Sequence, residues 1–276
     1  MNVAFARFRR QLAALTGIVL GPDQQYLAES RLAPVMRVHG VADLAELTWM
    51  IERRENDALV REAMDAMTTN ETSFFRDHAP FDEFRERILP ELIAARARER
   101  RLRIWCAACS TGQEAYSIAM TLDHAARALR GWNVEILATD LSHSSIVAAR
   151  KGVYSQFEIQ RGLSTSRMLR YFHRHEEHWR VNEHLRASIG FREFNLLDDF
   201  DGLGKFDVVF CRNALLYFEP EAKLDVLSRL AKSIADDGYL FLGSAESAGE
   251  AGGVFAPGGG GVFRQRVRVR PQLRLA

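Results

Sequence analysis

Residues 104–120 read IWCAACSTGQEAYSIAM: an apolar run, a Ser/Thr/Gly turn, then apolar residues at helical spacing. A strand that turns straight into a helix offers its unpaired backbone N–H groups to a ligand at the helix start. Only Gly112 punctuates this turn, so neither the G-x-G-x-x-G pattern nor the P-loop pattern is present, and a phosphate cradle is poorly supported. Taken alone, the junction fits an ordinary βα turn equally well.

The same grammar repeats downstream. Short apolar runs at 102–107, 134–139, 206–211 and 238–243 alternate with helical segments at about 113–130, 142–151 and 220–236. Runs apolar on both faces suit a parallel sheet covered on both sides, so 104–276 is expected to be a doubly wound, Rossmann-like α/β domain. Its ligand site should lie at the carboxyl ends of the strands. Glu114 starts the first helix and Asp140 ends the second strand, where an acid commonly takes ribose hydroxyls; the two would bracket a nucleoside-sized crevice. Asp140 as a mere N-cap of the following helix is the alternative. His178–Phe194, HWRVNEHLRASIGFREF, interrupts the alternation and reads as antiparallel β ribbon with Gly190 as a bulge, part of a small β insertion at about 173–194. A last strand is expected at 262–269, followed by a frayed basic tail.

Upstream, residues 1–67 carry no strand pattern. Phe5/Phe8/Leu12/Leu15 and Leu44/Leu47/Met50/Ile51 recur at helical spacing with Gly40 as a stop, which predicts a small all-helical N-terminal domain. The intervening 68–103 read as connecting helices. Thr68 and Glu71 have the T-x-x-E spacing of a capping box, and Pro80 suits a helix start. Phe81–Arg103, with seven arginines, reads as a solvated helix joining the two domains.

Thirty-seven basic residues against 36 acidic leave +1 over 276 residues, without the basic excess of a protein that coats duplex nucleic acid. Apolar residues at 47% and charged residues at 26% are those of a folded globular chain. No apolar run reaches the roughly 18–20 residues that span a bilayer. Arg7, Arg9 and Arg10 ahead of Leu12–Leu20 imitate a signal peptide, but the helical spacing, Pro22 and the missing A-x-A site favour an amphipathic first helix. Cys106, Cys109 and Cys211 are too few for a disulfide framework and fit a reducing cytoplasm. The C-x-x-C at 106–109 raises a thioredoxin-like dithiol, yet its apolar setting favours core positions, and no second Cys/His pair completes a zinc site.

In order along the chain stand TTNETSFFR (68–76), WCAACSTGQEAYSIAM (105–120), ATDLS (138–142), FNLLD (194–198), FDVVFCRNALLYF (206–218) and GYLFLGSAES (238–247). Together they resemble the CheR chemotaxis methyltransferases, which move the methyl group of S-adenosylmethionine (SAM) onto receptor glutamates. The resemblance implies that Asn70, Thr72, Arg76, Glu114, Asp140, Asn195, Leu196, Arg212 and Asn213 line the cofactor pocket. It implies that Arg76 and Tyr217 face the substrate carboxylate, and that no metal is needed. It also implies a monomeric cytoplasmic enzyme whose partner is the helical cytoplasmic domain of chemoreceptors, with neither nucleic acid nor membrane insertion.

This chain departs from the family pattern at Ala115, where many relatives have Pro, at Gln113, which replaces a frequent acid, and at Ser244–Ala245, which replaces His-Ser. Members that dock a receptor's terminal pentapeptide carry a longer, Gly-bearing loop than HRHEEHW (173–179), so no such tether is expected. Residues 81–103 are expected to offer a basic docking face. Residues 1–70 hold eight arginines and nine acids, so docking there must use local groups such as Arg31 and Arg37. Two other functions stay open: a same-fold methyltransferase acting on another substrate, and a noncatalytic regulator that senses the cofactor.

Overall fold

A computed structural model of the chain describes residues 3–249 and 253–265. Helices α1 (Val3–Thr16), α2 (Gln25–His39), α3 (Leu44–Arg53) and α4 (Asp57–Met67) come first. Their boundaries are chemical. Gly40 ends α2 in the left-handed conformation, the Asp43 side chain accepts from Glu46 N at the start of α3, and Asn56 caps α4. The apolar stripes close on a core of Phe5, Phe8, Leu12, Leu32, Leu47, Ile51 and Leu59, each burial worth about 1.5–3 kcal/mol.

The next segment differs from the sequence expectation. Thr68 and Glu71 open no helix: Thr68 turns back, its hydroxyl donating to Asp65 O, and 69–73 run irregularly across the sheet domain. Helices α5 (Ala79–Glu83), with Pro80 in its first turn, and α6 (Leu89–Ala95) follow, joined by a π-helical turn at Phe84–Ile88. This stretch is less free than a solvated linker. Asp82, Glu83, Glu86, Glu91 and Glu99 oppose its seven arginines. Arg85 pairs with Asp82, Arg87 with Glu83, Arg96 with Asp207 and Asp237, and Arg103 with Glu135.

The remainder is the α/β domain: β1 (Arg101–Ala107), α7 (Gln113–His124), β2 (Asn133–Asp140), α8 (His143–Lys151), β3 (Val153–Tyr154), α9 (Gln156–Gln160), α10 (Thr165–Tyr171), β4 (Phe172–His175), β5 (His178–Val181), α11 (Glu183–Ala187), β6 (Ile189–Glu193), β7 (Phe206–Phe210), α12 (Pro220–Ser233), β8 (Ile234–Phe241), β9 (Phe255–Gly259) and β10 (Val262–Gln265). The main sheet has the order β6-β2-β1-β7-β8-β10-β9, its first five strands parallel and β10 and β9 antiparallel. The chain leaves β1 toward β2 on one side and returns to β7 on the other, so β1 is the switch point at which a ligand crevice opens. Trp105, fully buried in β1, packs against Phe194, Phe200 and Phe206, while Phe210 and Phe241 stack at 4.3 Å.

The expected antiparallel ribbon is two things. A small sheet of order β3-β5-β4 is antiparallel, and its β4/β5 turn is only Glu176–Glu177, with His175 paired to His178 and Glu176 at φ 53°. Ile189–Glu193 belongs to the main sheet instead, parallel to β2 in continuous register from Ile136↔Ile189 to Asp140↔Glu193, and Gly190 is no bulge. At the other end, β10 accounts for the start of the expected 262–269 strand; its remainder and the basic tail lie outside the described residues. No helix among the described residues is long and apolar enough to cross a membrane.

Candidate active site at the carboxyl ends of the strands

The β1–α7 turn is tight and conformationally demanding. Ala108 and Ser110 have φ of 59° and 51°, and Gly112 has φ 97°. Left-handed backbone at non-glycine residues costs of order 1–3 kcal/mol each and persists only where the surroundings enforce it. Here Ser110 N donates to Asp140 Oδ2 at 2.7 Å, Ser110 Oγ donates to Asn70 O at 2.9 Å, and Cys109 N donates to Thr139 O at 2.8 Å. Gly112 has no room for a side chain, since a Cβ would come within 2.9 Å of the Ala149 Cβ.

Asp140 ends β2 and is buried. Its Oδ1 accepts from Ser142 N at 2.9 Å, and its Oδ2 takes the Ser110 N–H. The N-cap of α8 is Ser142, which accepts from Ser145 N, so Asp140 does not serve as one. A carboxylate has about four lone-pair positions, so acceptor capacity remains for a hydroxyl donor. Burial pushes its carboxyl up from 3.8; the Ser142 and Ser110 N–H groups pull it back, and Asp65 of α4 raises it further.

Glu114 lies in the first turn of α7, where the helix dipole favours an anion. Arg212, its side chain 1% exposed, donates from Nη1 to Glu114 Oε2 at 2.8 Å and from Nη2 to Asp77 Oδ2 at 2.6 Å and Arg76 O at 3.0 Å. Burial raises the Glu114 carboxyl above 4.5 against the pull of Arg212. The Cys106 thiol donates to Glu114 Oε1 at 3.5 Å, and all three cysteines are free, buried and held protonated by burial. The thioredoxin-like reading of 106–109 therefore has no accessible thiolate to rest on.

Asn70, Thr72, Glu114, Asp140, Asn195, Leu196, Arg212, Asn213 and Tyr217 line one crevice of about 830 Å³, part of it open to solvent. Arg76 does not line it: its guanidinium donates to the carbonyl of Glu71, a wall residue, at 3.0 Å. Four further residues were not anticipated from the sequence. Ser110 lines the crevice and ties 68–72 to the β1–α7 turn. Thr16 and Ile18 bring the N-terminal helices into the wall, where Ile18 pairs with Phe218 and Asn195 Nδ2 donates to Leu15 O at 2.7 Å. Glu246 sits behind Asn213. Only Gly17, a glycine directly after the first helix, signals the Thr16–Ile18 strap in the sequence, and nothing there announces a buried carboxylate within SAES.

The crevice suits an adenosyl sulfonium in its set of donors and acceptors. It holds two acids with spare acceptor positions and leaves Arg212 Nε buried without a partner in its wall. Fold and crevice together define a SAM-dependent methyltransferase. Residues 70–257 match "CheR methyltransferase, SAM binding domain", and residues 4–68 match "CheR methyltransferase, all-alpha domain". Chemotaxis protein methyltransferase 1 of Pseudomonas aeruginosa is 46% identical over 250 residues, 89% of this chain and 90% of its own length. Chemotaxis protein methyltransferase Cher2 of Pseudomonas putida is 43% identical over the same shares, and the Vibrio parahaemolyticus chemotaxis protein methyltransferase is 42% identical over 87% of both chains. The chain belongs to the CheR methyltransferase family.

Proposed function

We propose that the chain esterifies glutamate side chains on the helical cytoplasmic domain of chemoreceptors, itself acting in the cytoplasm as a monomer. The observation that carries this is the position of Tyr217: 42% exposed, in the wall of the crevice that also contains Asp140 and the Glu114–Arg212 pair. A carboxylate arriving from solvent meets a hydroxyl donor there.

When bound, SAM supplies a methyl group on a sulfonium. Asp140, Glu114, Asn70, Thr72, Asn195, Leu196, Arg212 and Asn213 are the residues that would hold it. A glutamate with pKa about 4.3 is ionised at neutral pH, so its oxygen attacks without a general base. Because opposite charges neutralise as the bond forms, a site that excludes water and holds both partners in line favours reaction. Arg76 and Tyr217 orient the acceptor. Pairing Arg76 too tightly with both oxygens would stabilise the ground state, so one oxygen is left free to attack.

The two-residue β4/β5 turn supports recognition without a pentapeptide tether. Arg31 is already engaged within the helical domain: its guanidinium donates to Met67 O and Thr68 O, closing the end of α4. Arg37 is exposed and keeps the expected docking role. Incubation with methyl-labelled SAM and receptor membranes tests the reading. Alkali-labile label on receptor glutamates is expected. Label only on another acceptor, or SAM binding with no transfer, would point to the other substrate class or to a noncatalytic sensor.

A further inference from the structure

Glu246 has no part in the chemistry above, yet backbone N–H groups hold its carboxylate in place. It is 7% exposed, and its carboxylate accepts three backbone N–H groups: Asn213 N and Gly243 N on Oε2, both at 2.7 Å, and Leu215 N on Oε1 at 2.8 Å. These donors belong to two loops, the one leaving β7 and the one leaving β8. One carboxylate therefore pins both at the lip of the crevice.

The pinned segment is under strain. Asn213 has φ 60° without being glycine. It lines the crevice, and the turn that begins at Leu215 presents Tyr217 two residues later. Gly243 completes the clamp: a Cβ there would lie 2.6 Å from Asn213 Nδ2 and 2.8 Å from Glu246 Oε2. An acid rather than an amide is required because all three groups it meets are donors. A glutamine would turn its NH₂ toward at least one of them, releasing either Leu215 or the Asn213 and Gly243 pair.

We propose that Glu246 is a positioning residue: it sets Asn213 for the cofactor and the Leu215–Tyr217 turn for the acceptor while touching neither. This rests on reading the crevice as the SAM site.

Titration calorimetry of the full chain with SAM tests it. A clamp that shapes the site alters affinity, whereas a merely structural role lowers the fraction of competent protein and leaves the affinity of that fraction alone. Glu246→Gln is expected to weaken Kd at least tenfold at near-unit stoichiometry; a Kd within twofold of wild type overturns the proposal. If that variant does not fold, Gly243→Ala carries the same test with the same expected weakening and the same overturning result, because its methyl intrudes on the clamp while the charge remains. Asp140→Asn, on the opposite side of the crevice, separates the two levels. If it binds SAM like wild type, the site reading fails and the positioning role with it. If it weakens binding while Glu246→Gln and Gly243→Ala do not, the positioning role alone fails.

Discussion

At the scale of the residue, the proposed function turns on two buried carboxyls held in different ways. Asp140 is fixed by backbone N–H groups, and Glu114 by the Arg212 fork. Asp140→Asn replaces one acceptor oxygen with a donor facing Ser110 N–H or Ser142 N–H. Hydrogen bonds to a charged group are worth about 1.5–3 kcal/mol, so SAM affinity is expected to fall roughly ten- to hundredfold by calorimetry. Arg76→Ala should instead lower turnover with SAM affinity nearly unchanged, since Arg76 lies outside the crevice wall; a weakened Kd with normal turnover would reverse that assignment. The pH dependence has two opposite signs. Both carboxyls are raised in the folded protein, from 4.5 for Glu114 and from 3.8 for Asp140. The native state therefore binds their protons more tightly than the unfolded chain. Their stability contribution is fully present below those ordinary values and is lost as pH rises through the folded-state values. On the proposed reading the ionised forms hold the cofactor, so SAM affinity is expected to fall on acidification in a window above the ordinary carboxylate range. Glu114→Gln should remove part of that dependence, and an identical profile in the variant would discount Glu114 as its source.

At the scale of the element, junctions matter more than the helices and strands themselves. Gly162, with φ 94°, lies so close to the 68–76 segment that a Cβ would sit 1.7 Å from Phe74 O. Phe74 in turn meets Tyr154 and Phe172 edge-on at 5.0 and 5.5 Å, and Glu71 pairs with Arg161. Gly162→Ala should cost about 2–4 kcal/mol by strain and overpacking, a melting point several degrees lower. Gly202→Ala, where nothing lies within 4 Å, should stay within about 0.5 kcal/mol. Equal melting points for the two variants would show that the insertion can back away freely. The same contrast explains what the sequence discloses. β1, β2, β7 and β8 are apolar on both faces and stand out from their flanking helices, and Glu114 and Asp140 can be placed from strand ends alone. β6 could not be read as parallel, because an edge strand buries little beyond Ile189 and its polar Arg192 and Glu193 mimic a ribbon. The capping-box spacing of Thr68 and Glu71 misled because tertiary contacts claim that segment: Thr68 ends α4 and Asn70 O receives Ser110. The Glu246 clamp joins residues more than 30 positions apart, which no local pattern records.

At the scale of the whole molecule, the N-terminal helices are part of the crevice wall and not a detached module. Thr16 and Ile18 line the crevice, Val19 N donates to Tyr217 O at 2.8 Å, Asn195 holds Leu15 O, and Ser144 N at the start of α8 reaches Asp65 of α4 at 3.3 Å. A ligand that bridges both parts stabilises both. At a hundredfold excess over Kd, linkage gives about 2.7 kcal/mol, roughly 5 °C for a chain of this size. Scanning calorimetry is therefore expected to show one main transition that moves upward as a unit when SAM is added. The strap is the place to break this coupling. Gly17 has φ 78°, and a Cβ would press to 2.5 Å from the Phe218 ring, so Gly17→Val is expected to displace either that ring or the Thr16–Ile18 strap and loosen its contact with the crevice. In that variant the helices should melt in a separate, earlier step that SAM no longer shifts. A wild-type scan already resolved into two steps, with only the later one responding to SAM, would mean that the crevice closes without the N-terminal helices and that their contacts to Tyr217 and Asn195 carry no binding energy.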